Sequence, residues 1–395
     1  MIRALFLSLR VHLLWFLDAF SSTGRLYAPM GWRRLAVLLL VYPLFLLLQA
    51  FHWLGILLDE IFFRGYRDVI IKEPLIITGI PRSGMTYIPR AIAANDKRFT
   101  AVRSWEAVLS PSITERRLCR FLARLDRMVG APLYKLLARQ TRRLSERLKN
   151  FHDIGLHSPE EDYLTLLPAG GCLLMCLLFP ASLSLWQLGR FYEYPERERE
   201  ILLQFYRAML QKHMHEAGPG KRLVSKNAVL GSWLPDMRYL FPDARFLYCV
   251  REPHVAITSQ ANSLQPMLEF LGTAPALDLI SQQLQTIFAH NYRIILEEKE
   301  SFLIDRLAII DYEEWRLDPE AILTRALTRL CVTLSPELMA SVRDGAAVTA
   351  RHQSRNPYRP DTRTPGPNEY RSLIGRIHAE ILEHPCHIRP QLDRQ

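Results

Sequence analysis

The chain has 395 residues, 49% of them hydrophobic, which is enough for one large α/β domain with an additional region. Its formal net charge is +10, which favours an anionic partner such as a nucleotide or an anionic lipid surface. No nucleic-acid-binding motif accompanies this charge, so nucleic acid is not the expected partner. The six cysteines form no zinc-type pair of pairs, and no other cluster requires a metal.

The first seventy residues are unusually apolar for a soluble protein. Apolar residues between Ile2 and Leu17 follow a helical stripe that includes Trp15 and two arginines at intervals, a composition that suits a membrane interface. Residues 35–58 then contain no charged side chain, and these 24 positions exceed the roughly 20 that a helix needs to cross a bilayer.

Four interpretations of this apolar run compete. A signal peptide is disfavoured, because the run is too long, lies too far inside the chain and has no clear small-residue cleavage site after it. A spanning helix fits the length, whereas Pro43, Gln49 and His52 within the run fit a kinked helix or hairpin embedded in one leaflet. Packing as soluble core is the fourth. The sequence favours membrane association and leaves spanning and one-leaflet insertion open.

A glycine-bearing loop follows at residues 79–86. Leu75 to Thr78 are apolar and partly β-branched, and they are bounded by Pro74 and Gly79, which predicts a buried strand. From Ile88 onward the pattern is helical. A loop between a strand and a helix N-terminus is a setting in which backbone N–H groups and the helix dipole bind phosphate.

The spacing of the glycines in the loop indicates which kind of phosphate group it would bind. Gly79 and Gly84 stand as in G-x-x-x-x-G-K-[ST], with Thr86 in the hydroxyl position, but Met85 occupies the lysine position. Nucleoside triphosphatases use that lysine on the β- and γ-phosphates, so γ-phosphoryl transfer is poorly supported. The positive charge of the loop lies instead at Arg82, which favours binding of a terminal phosphate over binding of a triphosphate. A strand–helix turn that binds nothing is the alternative.

Residues 81–87 resemble the P-R-S-G-T-T-[FYL] loop of sulfotransferases that use 3′-phosphoadenosine-5′-phosphosulfate (PAPS). In that family the loop holds the 5′-phosphosulfate, and Met85 here replaces the first threonine of the pattern whereas Thr86 matches the second. The resemblance implies that the whole loop contacts the donor, namely Pro81, Arg82, Ser83, Gly84, Met85, Thr86 and Tyr87.

The resemblance also implies a general base. In related PAPS-dependent enzymes an acidic residue that follows the loop takes the proton of the acceptor hydroxyl, and Glu106 lies at about the matching position. A surface or salt-bridged glutamate is the alternative. The segment from His152 to Tyr163 resembles a P-E-E-D-E segment of a bacterial branch, where His157 or Glu161 is a second candidate. Helix capping that begins at Ser158 or Pro159 explains these acids equally well.

Two later segments match the family as well. Residues 222–226 predict a strand ending in Lys226, which the resemblance places beside the transferring sulfuryl group, to neutralise charge on the bridging oxygen. The resemblance gives Arg82 and the loop amides a catalytic role as well, since they would stabilise the same charge. Residues 245–250 predict another strand, with Arg251 at its carboxyl edge, where ligands bind in open parallel sheets. The family's 3′-phosphate site is an arginine and a serine with the spacing of Arg251 and Ser259.

The remaining segments complete the pattern. The charge-free stretch 163–189 predicts buried core or an apolar wall of an acceptor pocket. A late strand from Leu307 and a helix opened by Asp318 and Pro319 also resemble the family. In the basic tail, the resemblance implies that Arg355 closes over the 3′-phosphate, and a disordered tail is the alternative.

The resemblance implies an α/β fold, a P-loop-like parallel sheet flanked by helices as in sulfotransferases, over residues 70–395. A membrane-associated helical region, residues 1–69, precedes it. The implied enzyme is a PAPS-dependent sulfotransferase of the EC 2.8.2 type that needs no metal, with adenosine 3′,5′-bisphosphate as its product.

The short link between the apolar run and the first strand favours a hydroxylated lipid or other amphiphile at the membrane as acceptor. Because PAPS is made in the cytosol, we expect the cytoplasmic face of a bacterial inner membrane. A P-loop kinase or nucleoside triphosphatase and an inactive membrane-anchored scaffold are the rival functions, and homo-oligomerisation is left open.

Overall fold

The computed structural model describes residues 1–93, 97–132, 134–136, 139–140, 158–159, 161–355 and 368–389, without the side chains of 346–355 and 368–372. The chain divides into two compact units. The first unit comprises Met1–Ile70, Val102–Pro219 and Ala261–Gln282, and the second comprises Ile71–Ala101, Gly220–Gln260 and Gln283–Gln395. The predicted domain division between residues 1–69 and 70–395 stays a prediction.

A five-stranded sheet forms the centre of the second unit. Every strand pairing is parallel, and the order across the sheet is β2-β3-β1-β4-β5. All residues of β1 and β4 are buried, as expected for a parallel sheet that is covered by helices on both faces. The strands are β1 (Leu75–Gly79), β2 (Phe99–Thr100), β3 (Arg222–Lys226), β4 (Arg245–Val250) and β5 (Leu307–Asp311).

The predicted parallel α/β architecture and its central strands are therefore confirmed, and β1 extends one residue beyond the prediction, to Gly79. The helices are α1 (Ile2–Phe20), α2 (Ser22–Tyr27), α3 (Trp32–Ala36), α4 (Tyr42–Phe62), α5 (Tyr87–Ala93), α6 (Ser104–Val108), α7 (Ile113–Met128), α8 (Leu183–Leu188), α9 (Glu196–Ala217), α10 (Leu234–Leu240), α11 (Pro253–Leu271), α12 (Leu277–Glu298), α13 (Tyr312–Leu317), α14 (Pro319–Arg329), α15 (Pro336–Arg355) and α16 (Asn368–Glu383).

Helices of the second unit cover both faces of its sheet. On one face Ile77, Leu247 and Ile310 share a buried apolar core with residues of α5, α14 and α15. On the other face the Tyr248 hydroxyl donates to the Asn291 carbonyl of α12, at 3.1 Å. The α14 helix begins as predicted, because the Asp318 carboxylate accepts the Ala321 N–H at 3.0 Å and Pro319 occupies its first turn.

The first unit is helical. Its N-terminal part holds one helix, Trp32–Phe62, that is long and apolar enough to cross a membrane by length and composition alone. The helix is continuous but contains a π-helical turn at Val37–Val41, directly before Pro43. Proline lacks a donor N–H and its ring crowds the carbonyl four residues earlier, which explains why the turn widens there.

Short 3₁₀ turns connect the longer helices. Two such turns and helix α8 lie in the charge-free stretch 163–189, and most residues of this stretch are buried in the first unit, as the prediction of core requires. The 3₁₀ turns are Arg64–Asp68, Asp162–Ala169, Leu173–Leu177, Phe191–Glu193, Val229–Trp233, Ala274–Ala276 and Lys299–Ser301.

Candidate active site

The predicted phosphate loop connects β1 to α5 in the second unit. Its two glycines have positive φ angles, +135° at Gly79 and +79° at Gly84. A Cβ atom on Gly79 would lie 2.1 Å from the Cys249 carbonyl oxygen, and one on Gly84 would lie 2.9 Å from the Trp315 ring. The Ile80 N–H donates to the same Cys249 carbonyl at 2.8 Å. The chain therefore passes closely along β4 at Gly79 and beside the Trp315 ring at Gly84, which only glycine permits at these two positions.

Side chains within the loop have two different environments. The Ser83 hydroxyl donates to the Ile80 carbonyl at 2.6 Å, so its proton is used to hold the turn. The Met85 side chain is buried in the apolar core with Ile88 and Trp315. Because that side chain is directed into the core, Met85 can offer a ligand its backbone N–H only. That the loop residues bind the sulfuryl donor PAPS stays a prediction.

Arg82 contacts both Ser259 and Arg251. The Arg82 Nε donates to the Ser259 hydroxyl at 3.1 Å, and an Arg251 Nη donates to the Arg82 carbonyl at 2.7 Å. Arg82 has a φ of +70°, a left-handed conformation that costs a non-glycine residue about 1 kcal/mol. Arg82 of the loop thus links the two residues predicted for the 3′-phosphate site, Arg251 and Ser259, and their binding of a phosphate stays a prediction.

Two tyrosines that the sequence analysis assigned no role support Arg251. Its guanidinium lies 4.1 Å from the ring centroid of Tyr312, the first residue of α13. The Tyr292 hydroxyl of α12 hydrogen-bonds the Arg251 carbonyl. Cation–π contacts of this kind orient a guanidinium without neutralising it. The sequence places Tyr312 directly after the predicted strand β5, but it does not indicate that this ring contacts Arg251.

The electrostatics of this arginine pair suit an anion. Burial lowers the pKa of Arg82, and the neighbouring Arg251 charge lowers it further. Among the described residues no carboxylate lies within ion-pair distance of Arg82. Two crowded guanidiniums beside a glycine loop fit the phosphate groups of a nucleotide donor, because an anion would relieve both the repulsion and the desolvation.

Lys226 reaches the same edge of the sheet from the neighbouring strand. It is the last residue of β3, is buried, and pairs in register with Ile77 of β1. The next residue is held firmly, because the Asn227 N–H donates to the Ile77 carbonyl at 2.9 Å and its own carbonyl accepts the Thr78 hydroxyl at 2.8 Å. The ends of β3, β1 and β4 therefore bring Lys226, the loop and Arg251 to one carboxyl edge.

Glu106 belongs to the first unit, where it caps α6. Its carboxylate accepts the Arg103 N–H at 3.0 Å and lies 3.3 Å from Nδ1 of His213 in α9. Burial opposes ionisation of Glu106, but His213, the Arg116 charge and the Arg103 N–H outweigh it and lower the pKa to about 2. The carboxylate is thus charged at neutral pH, as a proton acceptor must be. The sequence analysis missed His213, a buried histidine on an otherwise ordinary amphipathic helix.

Two predicted site residues cannot be placed. His157 lies outside the described residues, and so does the side chain of Arg355, although α15 includes its backbone. The helix start predicted at Ser158 or Pro159 is wrong, because the 3₁₀ turn begins at Asp162. Asp162, one of the acidic residues of this segment, has a structural role, since its carboxylate accepts a hydrogen bond from the Tyr206 hydroxyl at 2.9 Å. Among the residues that the structure describes, no group of three metal-binding side chains occurs.

A family model described as "Sulfotransferase family" matches residues 179–336, which include Lys226, Arg251 and Ser259 but neither the glycine loop nor Glu106. No curated protein matches the sequence.

Two solved structures share the fold. Sulfotransferase STF9 from Mycobacterium avium superposes with a TM-score of 0.59 and 18% identity, over 81% of this chain and 78% of that one. Sulfotransferase STF1 from Mycobacterium tuberculosis H37Rv gives a TM-score of 0.57 and 17% identity, over 88% of this chain and 91% of that one. The fold predicted from the sequence is confirmed.

Proposed function

We propose that the chain, whose residues 179–336 match the sulfotransferase family model and whose fold is shared by two sulfotransferases, moves the sulfuryl group of PAPS to a hydroxyl group of a lipid or other hydrophobic acceptor at a membrane surface. The observation that carries the choice of donor is the convergence of Arg82, Arg251 and Ser259 beside the glycine loop. A 3′-phosphate distinguishes PAPS from ordinary adenine nucleotides, and an arginine pair with a hydroxyl, of which Arg251 is buried and Arg82 partly buried, is suited to bind it.

The residues at the sheet edge would have different roles in binding PAPS and in the transfer of its sulfuryl group. The backbone of the loop from Ile80 to Thr86 would hold the 5′-phosphosulfate, and Arg82, Arg251 and Ser259 would hold the 3′-phosphate. When bound, PAPS supplies an electrophilic sulfur and a bisphosphate leaving group. Lys226 at the end of β3 would neutralise the negative charge that develops on the oxygen leaving sulfur.

Glu106 is the proposed proton acceptor, a role that rests on the family resemblance and on its own surroundings. The acceptor hydroxyl loses its proton as its oxygen bonds to sulfur, and an ionised, buried carboxylate can accept that proton. His213 holds the Glu106 carboxylate in place, since its Nδ1 lies 3.3 Å from the nearer oxygen.

A transfer assay tests this function directly. The purified protein is incubated with radiolabelled PAPS and a bacterial membrane lipid extract, and labelled lipids are separated by thin-layer chromatography. We expect a labelled lipid product that falls by about a hundredfold or more in Glu106→Gln and Lys226→Met. The matched control is Glu300→Gln, because the Glu300 side chain is 72% exposed and takes no part in the proposed chemistry.

A parallel incubation with γ-labelled ATP addresses the kinase alternative. Label transferred from ATP and not from PAPS would overturn the proposal. A rate unchanged in Glu106→Gln would remove this residue as the base and leave the donor assignment to be judged by binding.

A further inference from the structure

The N-terminal helices expose large apolar side chains in continuous stripes. On α1 the spacing of these residues is three or four positions, so they share one helical face, and each is between 55% and 67% exposed. They are Ile2, Phe6, Leu9, Leu13 and Leu17. The opposite face of α1 is buried in the first unit and includes Ser8 and His12.

The long apolar helix carries a second stripe of the same kind. Its members again recur every three or four residues and are between 50% and 68% exposed. They are Leu40, Leu44, Leu47, Phe51 and Leu54. The two helices touch, because His12 Nδ1 lies 3.0 Å from the Tyr42 hydroxyl and Phe16 stacks on the Tyr42 ring. The two stripes therefore belong to neighbouring helices, and we call them together the apolar stripes.

The buried face of α4 includes polar residues that are bound to other helices of the first unit. Asp59 is fully buried, lies 3.0 Å from Lys212 Nζ of α9, and accepts the Ile113 N–H at the start of α7 at 2.8 Å. Two turns earlier on the same helix, His52 Nδ1 lies 2.5 Å from a Glu115 oxygen. A helix with this face cannot have lipid all around it, because the groups that satisfy its polar residues belong to α7 and α9.

The partner helices are themselves too polar for a hydrocarbon interior. The α9 helix begins Glu-Arg-Glu-Arg-Glu, and α7 carries five arginines. Charged side chains at the bilayer centre cost several kcal/mol each, about 3 kcal/mol or more on insertion scales. A helix fastened along one side to such neighbours can be immersed on its other side only.

We infer that the chain binds an anionic bilayer from one side, with the apolar stripes of α1 and α4 immersed in a single leaflet and no segment of residues 1–70 crossing the membrane. Residues 1–70 hold seven arginines against four acidic residues, which complements anionic headgroups. Trp32 at the start of the long helix is 78% exposed, and exposed tryptophan is typical of the membrane interface.

This mode of binding rests on the membrane location in the proposed function and adds how the protein contacts the bilayer. It is tested without donor or acceptor, so it can fail while sulfuryl transfer stands, and transfer can fail while it stands.

Vesicle flotation tests the surface. The whole protein is mixed with phosphatidylglycerol–phosphatidylcholine vesicles, and we expect it to float with them. Leu47→Glu should lower the vesicle partition coefficient about tenfold or more, because it replaces a leucine side chain buried in lipid by a charge. Leu303→Glu is the matched control, since Leu303 is 70% exposed in the second unit and Leu47 is 68% exposed.

Equal losses in the two variants would overturn the assignment of the surface. A protein that does not float, and whose dimer is dissociated by Leu47→Glu, would show that a second copy covers the stripes and would overturn it as well.

Cysteine labelling separates one-leaflet binding from spanning. Gly31 and Gly65 flank the helix Trp32–Phe62, and a Cβ at either would meet nothing within 4 Å. Gly31→Cys and Gly65→Cys are placed singly in a Cys119→Ser, Cys331→Ser background and treated with an impermeant maleimide in sealed spheroplasts and in inverted membrane vesicles. Labelling of both in the same preparation is the expected result. Labelling of each in a different preparation would show a spanning helix and overturn the inference.

Discussion

The two compact units distribute their polar residues in opposite ways. In the second unit the sheet interior is apolar, and Arg82, Lys226 and Arg251 gather at the carboxyl edge of its strands. In the first unit the N-terminal helices bury Asp59 and His52 and turn leucines and phenylalanines outward. The pattern of the second unit is ordinary for an α/β fold in water, whereas the pattern of the first unit is the one that the proposed contact with lipid requires. The proposal therefore gives the two units different surroundings.

Gly79→Ala is expected to have the largest effect on the second unit. The new Cβ would lie 2.1 Å from a backbone oxygen of β4, which cannot move without breaking the sheet. We expect a cost above about 5 kcal/mol, comparable with the whole stability of a domain, and no recovery of folded protein.

Gly220→Ala is the control for that variant. Gly220 also has a positive φ, +77°, but a Cβ there meets nothing within 4 Å, so it should cost only about 1 kcal/mol. Similar yields and melting temperatures for the two variants would contradict the close passage of the loop along β4.

Lys212→Met tests the buried charge network of the first unit. The substitution leaves Asp59 buried without its cation, so we expect a loss of about 3–5 kcal/mol in the free energy of unfolding. Arg207→Met, an exposed position on the same helix, should change it by less than about 0.5 kcal/mol. Chemical denaturation in detergent measures both. A melting curve that Lys212→Met leaves unchanged would mean that α4 is not fixed to α9 by this pair.

Glu106 should make the first unit sensitive to acid. Its pKa in the folded protein is about 2, below the ordinary 4.5, so the ionised form stabilises the fold above pH 4.5 and the contribution is lost as the pH falls toward 2. The full contribution is on the order of 3 kcal/mol. The stability advantage of the native protein over Glu106→Gln should therefore shrink between about pH 5 and about pH 2. A constant difference would contradict the lowered pKa.

Met85→Thr is expected to have the smallest effect. It restores the family's threonine but removes a side chain from the core, so we expect a loss of about 2 kcal/mol in stability. Because this side chain is directed away from the loop surface, the affinity for adenosine 3′,5′-bisphosphate should change by less than about threefold. A tenfold gain in affinity would show that the side chain at position 85 reaches the ligand.

Local pattern predicted much of the second unit and little of the first. The strands, the glycine loop and the Arg251–Ser259 spacing are encoded by residues close in sequence, so they could be read directly. The stacking of Tyr312 on Arg251 and the pairing of His213 with Glu106 join distant segments, which the sequence alone does not bring together. Likewise a charge-free run could not reveal that His52 and the adjoining Asp59 are bound to α7 and α9.

Calorimetric titration of the detergent-purified protein tests the central claim most directly. The ligands are adenosine 3′,5′-bisphosphate, 5′-AMP and ATP. The account predicts clear preference for the bisphosphate, reduced about tenfold or more in Arg251→Ala, whereas the affinity for 5′-AMP falls much less. Arg238→Ala, which removes a surface ion pair with Glu298, should leave the preference intact. Equal or tighter binding of ATP would contradict a PAPS site and return the Gly79–Thr86 loop to the nucleoside triphosphate class.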